Sequence, residues 1–339
     1  MDAELKSWST GCRIAGSGSS VPEAVLTNKD LEKLVDTNDE WIRVRTGISR
    51  RHVLGEHENL SEHSARAAQH AMDMAHVTAD QVDLVLLATS SPDDTFGSAC
   101  QVQALLGAKQ AAAFDITAAC SGFVVAMNTA AQFIRTGTYK NIVVIGADCL
   151  SRYVDWRDRS TCILFGDASG AVVMQAQSGD CALLGSCMRS DGTGHKHLQA
   201  CYEGQGHGMK ATSEQDASSM SSFHNITMNG QEVFRFAVRA VPDVIEGALV
   251  DAGLAKADVD WLVMHQANQR ILKAAAERLH IPMDRVVSNL NEYGNTSAAS
   301  IPLALDEAVR AGSIQKGDVI ASAGFGAGLT WAGAIYRWG

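Results

Sequence analysis

A chain of 339 residues, 46% of them hydrophobic and 19% charged, has the balance of a globular protein large enough for two domains or two fused halves. Its net charge of −10 argues against nucleic acid as a partner. Eight cysteines without a CxxC pair fit a reducing compartment, and the opening MDAELKSWSTGCRI lacks the basic start and apolar stretch of a signal peptide.

In chain order, GSGSSVP (16–22) first invites a dinucleotide loop, but Val21 stands where the third glycine is required, and the motif is discarded. EHSARAAQHAMDMA (62–75) reads as a helix and VDLVLLATS (82–90) as a buried strand. AAAFDI reads as a strand, TAA as a turn, and 120–137 as a helix closed by Gly137. From Ile116 to Ile134 there is no charged residue, nearly the length of a membrane span. Its Thr, Ser, Gly, Asn and Gln suit instead a helix buried on all sides, and no other segment is a membrane candidate.

NIVVIGAD (141–148), CILFGDASGAVVMQA (162–176), VDWLVMHQA (259–267) and GDVIASAG (317–324) read as further strands. The segments 232–253, 269–279 and 299–312 read as helices, and AGFGAGLTWAGA (323–334) as a glycine-rich loop. Only 191–222 looks like a loop insertion. Its His195, His197, Cys201 and His207 match no zinc spacing, so a solvated loop without metal is expected. Strands alternating with helices indicate an α/β protein.

The chain also resembles itself. Shifted by 177, Ala71, Ala75, Val82 and Asp83 fall on Ala248, Ala252, Val259 and Asp260. Shifted by 175, Cys120 falls on Asn295, Arg135 on Arg310 and Gly137 on Gly312. Two similar α/β halves are expected to meet near residue 178, with Cys120 and Asn295 at corresponding helix starts.

Cys120 in the first turn of a helix would face unpaired N–H groups and the positive end of the dipole. Both favour thiolate, below the usual value of ~8.5. The opposing reading is inert core filler. His265 stands at the C-terminal end of a predicted strand, where α/β sheets bind ligands; the opposing reading is a core histidine bonded to a backbone carbonyl. Asn295 serves either as a helix N-cap or as a donor to a substrate carbonyl oxygen. Glycines in the 323–334 loop would turn N–H groups toward an oxyanion. Cys, His and Asn in that order leave a papain-like cysteine protease or acyl transfer on thioesters. The protease signature around the Cys, a secretory start and a disulfide set are missing, so acyl transfer is preferred.

Seven motifs, VDTNDEWIRVRTGI (35–48), DITAACSGF (115–123), DRSTCILFGDASGA (158–171), MNGQEVFRFAV (228–238), HQANQRI (265–271), GNTSAASIPLALDEAV (294–309) and GFGAGLTW (324–331), are spread along nearly the whole chain. Together they resemble the β-ketoacyl-[acyl-carrier-protein] synthase III family, the enzymes that initiate type II fatty-acid synthesis. The resemblance implies a thiolase fold, two similar halves (1–178 with the nucleophile, 179–339 with His and Asn) in a layered α-β-α-β-α arrangement. It implies Claisen condensation of acetyl-CoA with malonyl-acyl carrier protein (ACP) through an acetyl-cysteine, with no cofactor beyond the substrates. The alternatives are a related synthase for a polyketide or alkylquinolone starter, and a non-catalytic acyl-carrier-binding subunit.

By the same resemblance, Cys120 takes the acetyl group while His265 and Asn295 bind the malonyl thioester oxygen and stabilise the enolate. The oxyanion hole would combine the N–H groups of Cys120 and Ala327, where several relatives have Gly. Trp41 and Arg45, assisted by Arg159, match CoA adenine-side contacts; Gly230 and Asn268 match pantetheine contacts. Gln266, Ala267, Asn268, Gln269, Arg270 and Arg235 would receive the acidic carrier protein, with Arg239, Lys273 and Arg278 nearby. Phe96 would reach across a homodimer into the neighbour's acyl pocket. Plant, algal and cyanobacterial members are resembled most, so plastid stroma is expected, or cytoplasm if the source is bacterial.

Overall fold

The computed structural model describes residues 10–179, 181–204 and 221–339. Strands β1 (Thr10–Ser20), β2 (Leu84–Ala88), β3 (Ala112–Ile116), β4 (Asn141–Cys149) and β5 (Asp167–Ser178) form one sheet in the order β1–β5–β4–β2–β3. There β2 is parallel to β3 and β4, whereas β5 is antiparallel to β1 and β4. Strands β6 (Leu183–Ser190), β7 (Trp261–Met264), β8 (Val319–Gly326) and β9 (Thr330–Arg337) form the second sheet, ordered β7–β8–β9–β6. It repeats the first: β7 is parallel to β8, and β9 is antiparallel to β8 and β6.

Among the described residues, seven helices of eight residues or more complete the frame: α1 (Asp39–Thr46), α2 (Leu60–Ala75), α3 (Ala99–Leu106), α4 (Gly122–Arg135), α5 (Gly230–Ala252), α6 (Gln269–Leu279) and α7 (Ser300–Arg310). Helices α4 and α7 lie between the sheets, sharing one core with residues such as Leu86, Val144, Ile320 and Tyr336. Helices α2 and α3 cover the outer face of the first sheet; α5 and α6 cover that of the second. This is the α-β-α-β-α layering of the thiolase fold. The uncharged run 116–134 is explained by it, since α4 must be apolar toward both sheets. Among the described residues no helix is long and apolar enough to cross a membrane.

The internal repeat is structural. Asp83 N–H donates to Asn141 O at 2.9 Å, and Asp260 N–H to Val319 O at 2.9 Å. Each carboxylate then accepts from the N–H of that same partner, at 2.9 and 2.8 Å. The register differs from the expected one at the site, however. The turns Ala119–Ser121 and Ser297–Ala299 are offset by 178 residues, and both contain a left-handed residue, Ala119 (φ 46) and Ser297 (φ 51). Cys120 therefore corresponds to Ala298, and Asn295 precedes that point by three residues. The ends of α4 and α7 keep the offset of 175 because α4 has 14 residues and α7 only 11.

Three local readings change. The strand expected from 162 begins only at Asp167, because Arg159–Cys162 forms a helical turn. The expected glycine-rich loop is chiefly the β8–β9 hairpin. Within 191–222, Gly192–His197 is a 3-10 turn, Leu198–Gln199 pairs with Thr227–Met228, and Tyr202–Gly204 pairs with Ser221–Phe223. His195 and Cys201 are exposed, and His207 lies outside the described residues.

Candidate active site

The turn between β3 and α4 presents Cys120, buried at its centre. Close backbone packing fixes it from the second half: a Cβ on Gly326 would lie 2.7 Å from Cys120 N, and one on Gly324 2.7 Å from Cys120 O. Only glycine permits β8 to approach so closely. His265 follows β7, its N–H bonded to Ala323 O at 2.9 Å, so the strand pairing with β8 carries it into the site. Its Nδ1 lies 2.7 Å from Ser300 Oγ, and its ring meets Phe325 edge-on at 5.2 Å. A histidine tied to a backbone carbonyl is thus not what the fold contains. Nε2 is the ring nitrogen left without a protein partner among the described residues.

Asn295 is held by its backbone, with its N–H on Leu164 O at 2.8 Å and its carbonyl accepting from Gly166 N–H at 3.0 Å. Its Oδ1 accepts from Ser297 N–H at 2.9 Å. That bond orients the amide so that the NH2 end is the one left for a ligand. Cys120, His265 and Asn295 all line one cavity of about 1030 Å³. A second cavity, of about 790 Å³, reaches Cys120 from the side of Ser297, Ala327 and Leu150. Leu198, from the 191–222 segment, borders both.

Burial pushes the Cys120 thiol up to about 12; the Ser297 hydroxyl opposes that rise and the charge of Asp148 adds to it. Burial likewise pulls His265 down to about 3. Burial thus favours a thiol and a neutral imidazole at rest, opposing the pull toward thiolate expected from a helix terminus. Cys120 lies in the 3-10 turn ahead of α4, enclosed by both sheets, and loss of water outweighs the turn's donors.

At the mouth of the larger cavity stand three exposed arginines, Arg45, Arg235 and Arg270. The Arg45 guanidinium lies 4.2 Å from the centre of the Trp41 ring and that of Arg159 4.8 Å from it. Arg270 covers Phe234 at 5.1 Å.

Comparison with known proteins gives the lineage. The family models described as 3-Oxoacyl-[acyl-carrier-protein (ACP)] synthase III and its C terminal match residues 114–192 and 249–338. The Beta-ketoacyl-[acyl-carrier-protein] synthase III of Microcystis aeruginosa is 56% identical over 96% of this chain and 97% of its own. The chain belongs to the β-ketoacyl-[acyl-carrier-protein] synthase III family. It is a condensing acyltransferase of fatty-acid synthesis. The chloroplastic synthase III B of Cuphea wrightii is 56% identical over 98% of this chain and 84% of its own. Among solved structures, the synthase III of Aquifex aeolicus superposes with a TM-score of 0.88 at 43% identity, covering 97% of this chain and 100% of that one. The priming β-ketosynthase of the R1128 polyketide pathway shares the fold at a TM-score of 0.88 but only 32% identity, covering 97% and 96% of the two chains.

Within this synthase III chain, most of the expected site residues line one of the two cavities. Cys120, His265, Asn295, Trp41, Arg45 and Gly230 share the larger cavity, and Ala327 borders the smaller one. Ala327 needs no left-handed backbone; the positive φ in that turn belongs to Gly328. Asn268 lines the cavity too, but it also caps α6 through Arg270 N–H and donates to Arg45 O at 3.1 Å. Gln266 is the correction. It is buried, with its NH2 on Met264 O and Val287 O and its Oε1 accepting from Asn289 N–H, so no protein partner can touch it. Phe96 is 99% exposed. Sequence reasoning missed Ser297, Ser300 and Asp148, whose importance comes from what they touch. The one available signal was their place inside the quoted motif GNTSAAS and at the end of the NIVVIGAD strand.

Proposed function

We propose that this chain condenses acetyl-CoA with malonyl-ACP to give acetoacetyl-ACP, CO2 and CoA through an acetyl thioester on Cys120. The observation that carries the reading is one cavity lined by a thiol, a neutral imidazole and an amide whose NH2 end is free. In the first half-reaction the Cys120 sulfur attacks the acetyl carbonyl carbon. The oxygen becomes an oxyanion held by the N–H groups of Cys120 and Ala327, and the bond to the CoA sulfur breaks. One proton leaves Cys120 and one reaches CoA.

In the second half-reaction the malonyl thioester oxygen sits between His265 Nε2 and Asn295 Nδ2. Loss of CO2 leaves its bonding pair in an enolate, which two fixed donors stabilise without any strong base. The enolate carbon attacks the acetyl carbonyl, the bond to Cys120 breaks, and the sulfur takes up a proton, so one proton is consumed overall. For Nε2 to carry hydrogen, Nδ1 must accept one, which the Ser300 hydroxyl supplies at 2.7 Å only by turning its single hydrogen away from Ser297 O, to which it donates at 2.8 Å.

Trp41, Arg45 and Arg159 suit the adenine and phosphate end of CoA, offering a stacking face between planar cations. Gly230 and Asn268 border the path to the sulfur as pantetheine contacts. Arg235 and Arg270, with Ala267 and Gln269, form the docking rim for an acidic carrier protein. A homodimer is supported by the exposed Phe96 and by β3, a half-exposed edge strand bearing the exposed Phe114. The division at 178/179 is supported by the two sheets, drawn from residues up to 178 and from 183 onward. The cyanobacterial and chloroplastic relatives favour a plastid-type setting, stroma or bacterial cytoplasm.

Half-reactions separate the roles. With radiolabelled acetyl-CoA, Cys120→Ala should lose both protein labelling and condensation. His265→Ala and Asn295→Ala should keep self-acetylation within ~10-fold while malonyl decarboxylation falls by ~10²–10³. Equal loss of both half-reactions in the latter two variants contradicts the assignment.

A further inference from the structure

Ser297 opens the turn Ser297–Ala299 ahead of α7, and each of its three polar groups faces a different member of the site. Its hydroxyl donates to Cys120 Sγ at 3.3 Å. Its backbone N–H donates to Asn295 Oδ1 at 2.9 Å. Its carbonyl oxygen accepts from the Ser300 hydroxyl at 2.8 Å, and that hydroxyl lies 2.7 Å from His265 Nδ1. The residue is buried, so these contacts stand in for water as its partners.

The backbone explains how one residue reaches three others. Ser297 is left-handed, φ 51, a conformation that residues other than glycine adopt at a cost. Asp148, buried on β4, holds the turn by accepting from Ala298 N–H at 3.1 Å. The first half makes the corresponding turn with Ala119, φ 46, so the fold builds this bend without a hydroxyl. Glycine would relieve the strain in the second half, but it would leave the sulfur without a donor. The hydroxyl therefore serves the sulfur rather than the turn.

We propose that Ser297 is a further catalytic residue, whose hydroxyl stabilises negative charge on the Cys120 sulfur while its N–H and carbonyl position Asn295 and His265. The inference rests on the acetyl-Cys120 reading. In that scheme the sulfur carries charge twice. It does so when Cys120 has lost its proton and attacks the acetyl carbon, and again when the enolate carbon displaces it and the bonding pair returns to sulfur. Each time the O–H hydrogen already points at the sulfur, so no solvent has to reorganise. The hydroxyl gives up no proton and remains a donor throughout. Its effect on the resting thiol has the same sense, opposing the rise that burial causes.

The test compares wild type, Ser297→Ala and Ser297→Gly in three measurements. These are single-turnover acetyl transfer from acetyl-CoA, alkylation of Cys120 by iodoacetamide followed by mass spectrometry, and malonyl-ACP decarboxylation without acetyl-CoA. Both variants should acetylate and alkylate ~10–100-fold more slowly, the range for losing a hydrogen bond to a charged group. Decarboxylation should fall by no more than ~3-fold, because the N–H and carbonyl that hold Asn295 and His265 belong to the backbone. Wild-type rates of acetylation and alkylation in either variant overturn the donor role. A parallel loss of decarboxylation, or a defect in Ser297→Ala that Ser297→Gly lacks, traces the effect to a disturbed turn and overturns it as well. Should Ser297→Ala fail to fold by circular dichroism, Ser297→Gly decides alone, since glycine suits the left-handed backbone. A wild-type protein that takes no acetyl group on Cys120 refutes the functional reading itself, and the alkylation rates still decide whether Ser297 serves the sulfur.

Discussion

Cys120 and His265 are both held neutral by the same cause, removal from water between the two sheets, although their ordinary values lie on opposite sides of neutrality. The sign is opposite for each. A thiol raised to about 12 stays protonated through the physiological range, and an imidazole lowered to about 3 stays uncharged. The near-ultraviolet thiolate absorbance of wild type minus Cys120→Ala should therefore remain flat from about pH 6 to about 9. A titration step below about pH 8 would show that the turn's donors outweigh burial. The three residues proposed for the chemistry were legible because each stands inside a distinctive motif, Cys120 and His265 at strand–helix junctions and Asn295 in the turn ahead of α7. The state of the thiol was not, because enclosure by the other half leaves no mark beside residue 120. Gln266 misled for a related reason: a polar residue next to His265 reads as surface, yet two carbonyls and an N–H occupy its amide within the core.

At the level of elements, the site is made by one strand running against one turn. β8 brings Gly324 and Gly326 onto the backbone of Cys120, and its partner β7 delivers His265. Gly326→Ala puts a methyl 2.7 Å from Cys120 N and 2.9 Å from the Ala119 methyl, so backbone must move. The expected outcome is loss of acetyl transfer with a stability loss of ~1–3 kcal/mol, read by urea unfolding beside the labelling assay. Full activity with unchanged stability contradicts this packing. Buried Arg51 has a parallel role on the other wall: it bonds Ile163 O at 2.7 Å and Asn28 Oδ1 at 3.0 Å, pinning the segment whose Leu164 carbonyl holds Asn295. The long apolar strands and helices were readable by period, and α6 matches its expected bounds of 269–279. Strands β1, β6 and β9 escaped, since Gly, Ser and small residues at close helix contacts blur the alternation that marks a half-buried strand.

For the whole molecule, the repeat explains why two weakly similar halves make one site. Their inner helices α4 and α7 share a single core, so neither half presents a finished surface without the other. The sequence offset of 175 pointed to the repeat while missing its register at the centre, where α7 is shorter by about a turn. An exposed Phe96 beside an open sheet edge predicts a two-chain particle in sedimentation. On the proposed homodimer reading, Phe96→Ala should broaden turnover toward longer acyl-CoA primers, because the side chain would otherwise close the neighbour's pocket. A fully active monomer would exclude that role.

The most direct measurement is peptide mapping by mass spectrometry after incubation with acetyl-CoA alone. The account predicts one acetyl group per chain, on Cys120 and on none of the other seven cysteines, discharged when malonyl-ACP is added. An unmodified Cys120, or an acetyl group elsewhere that malonyl-ACP removes, contradicts it.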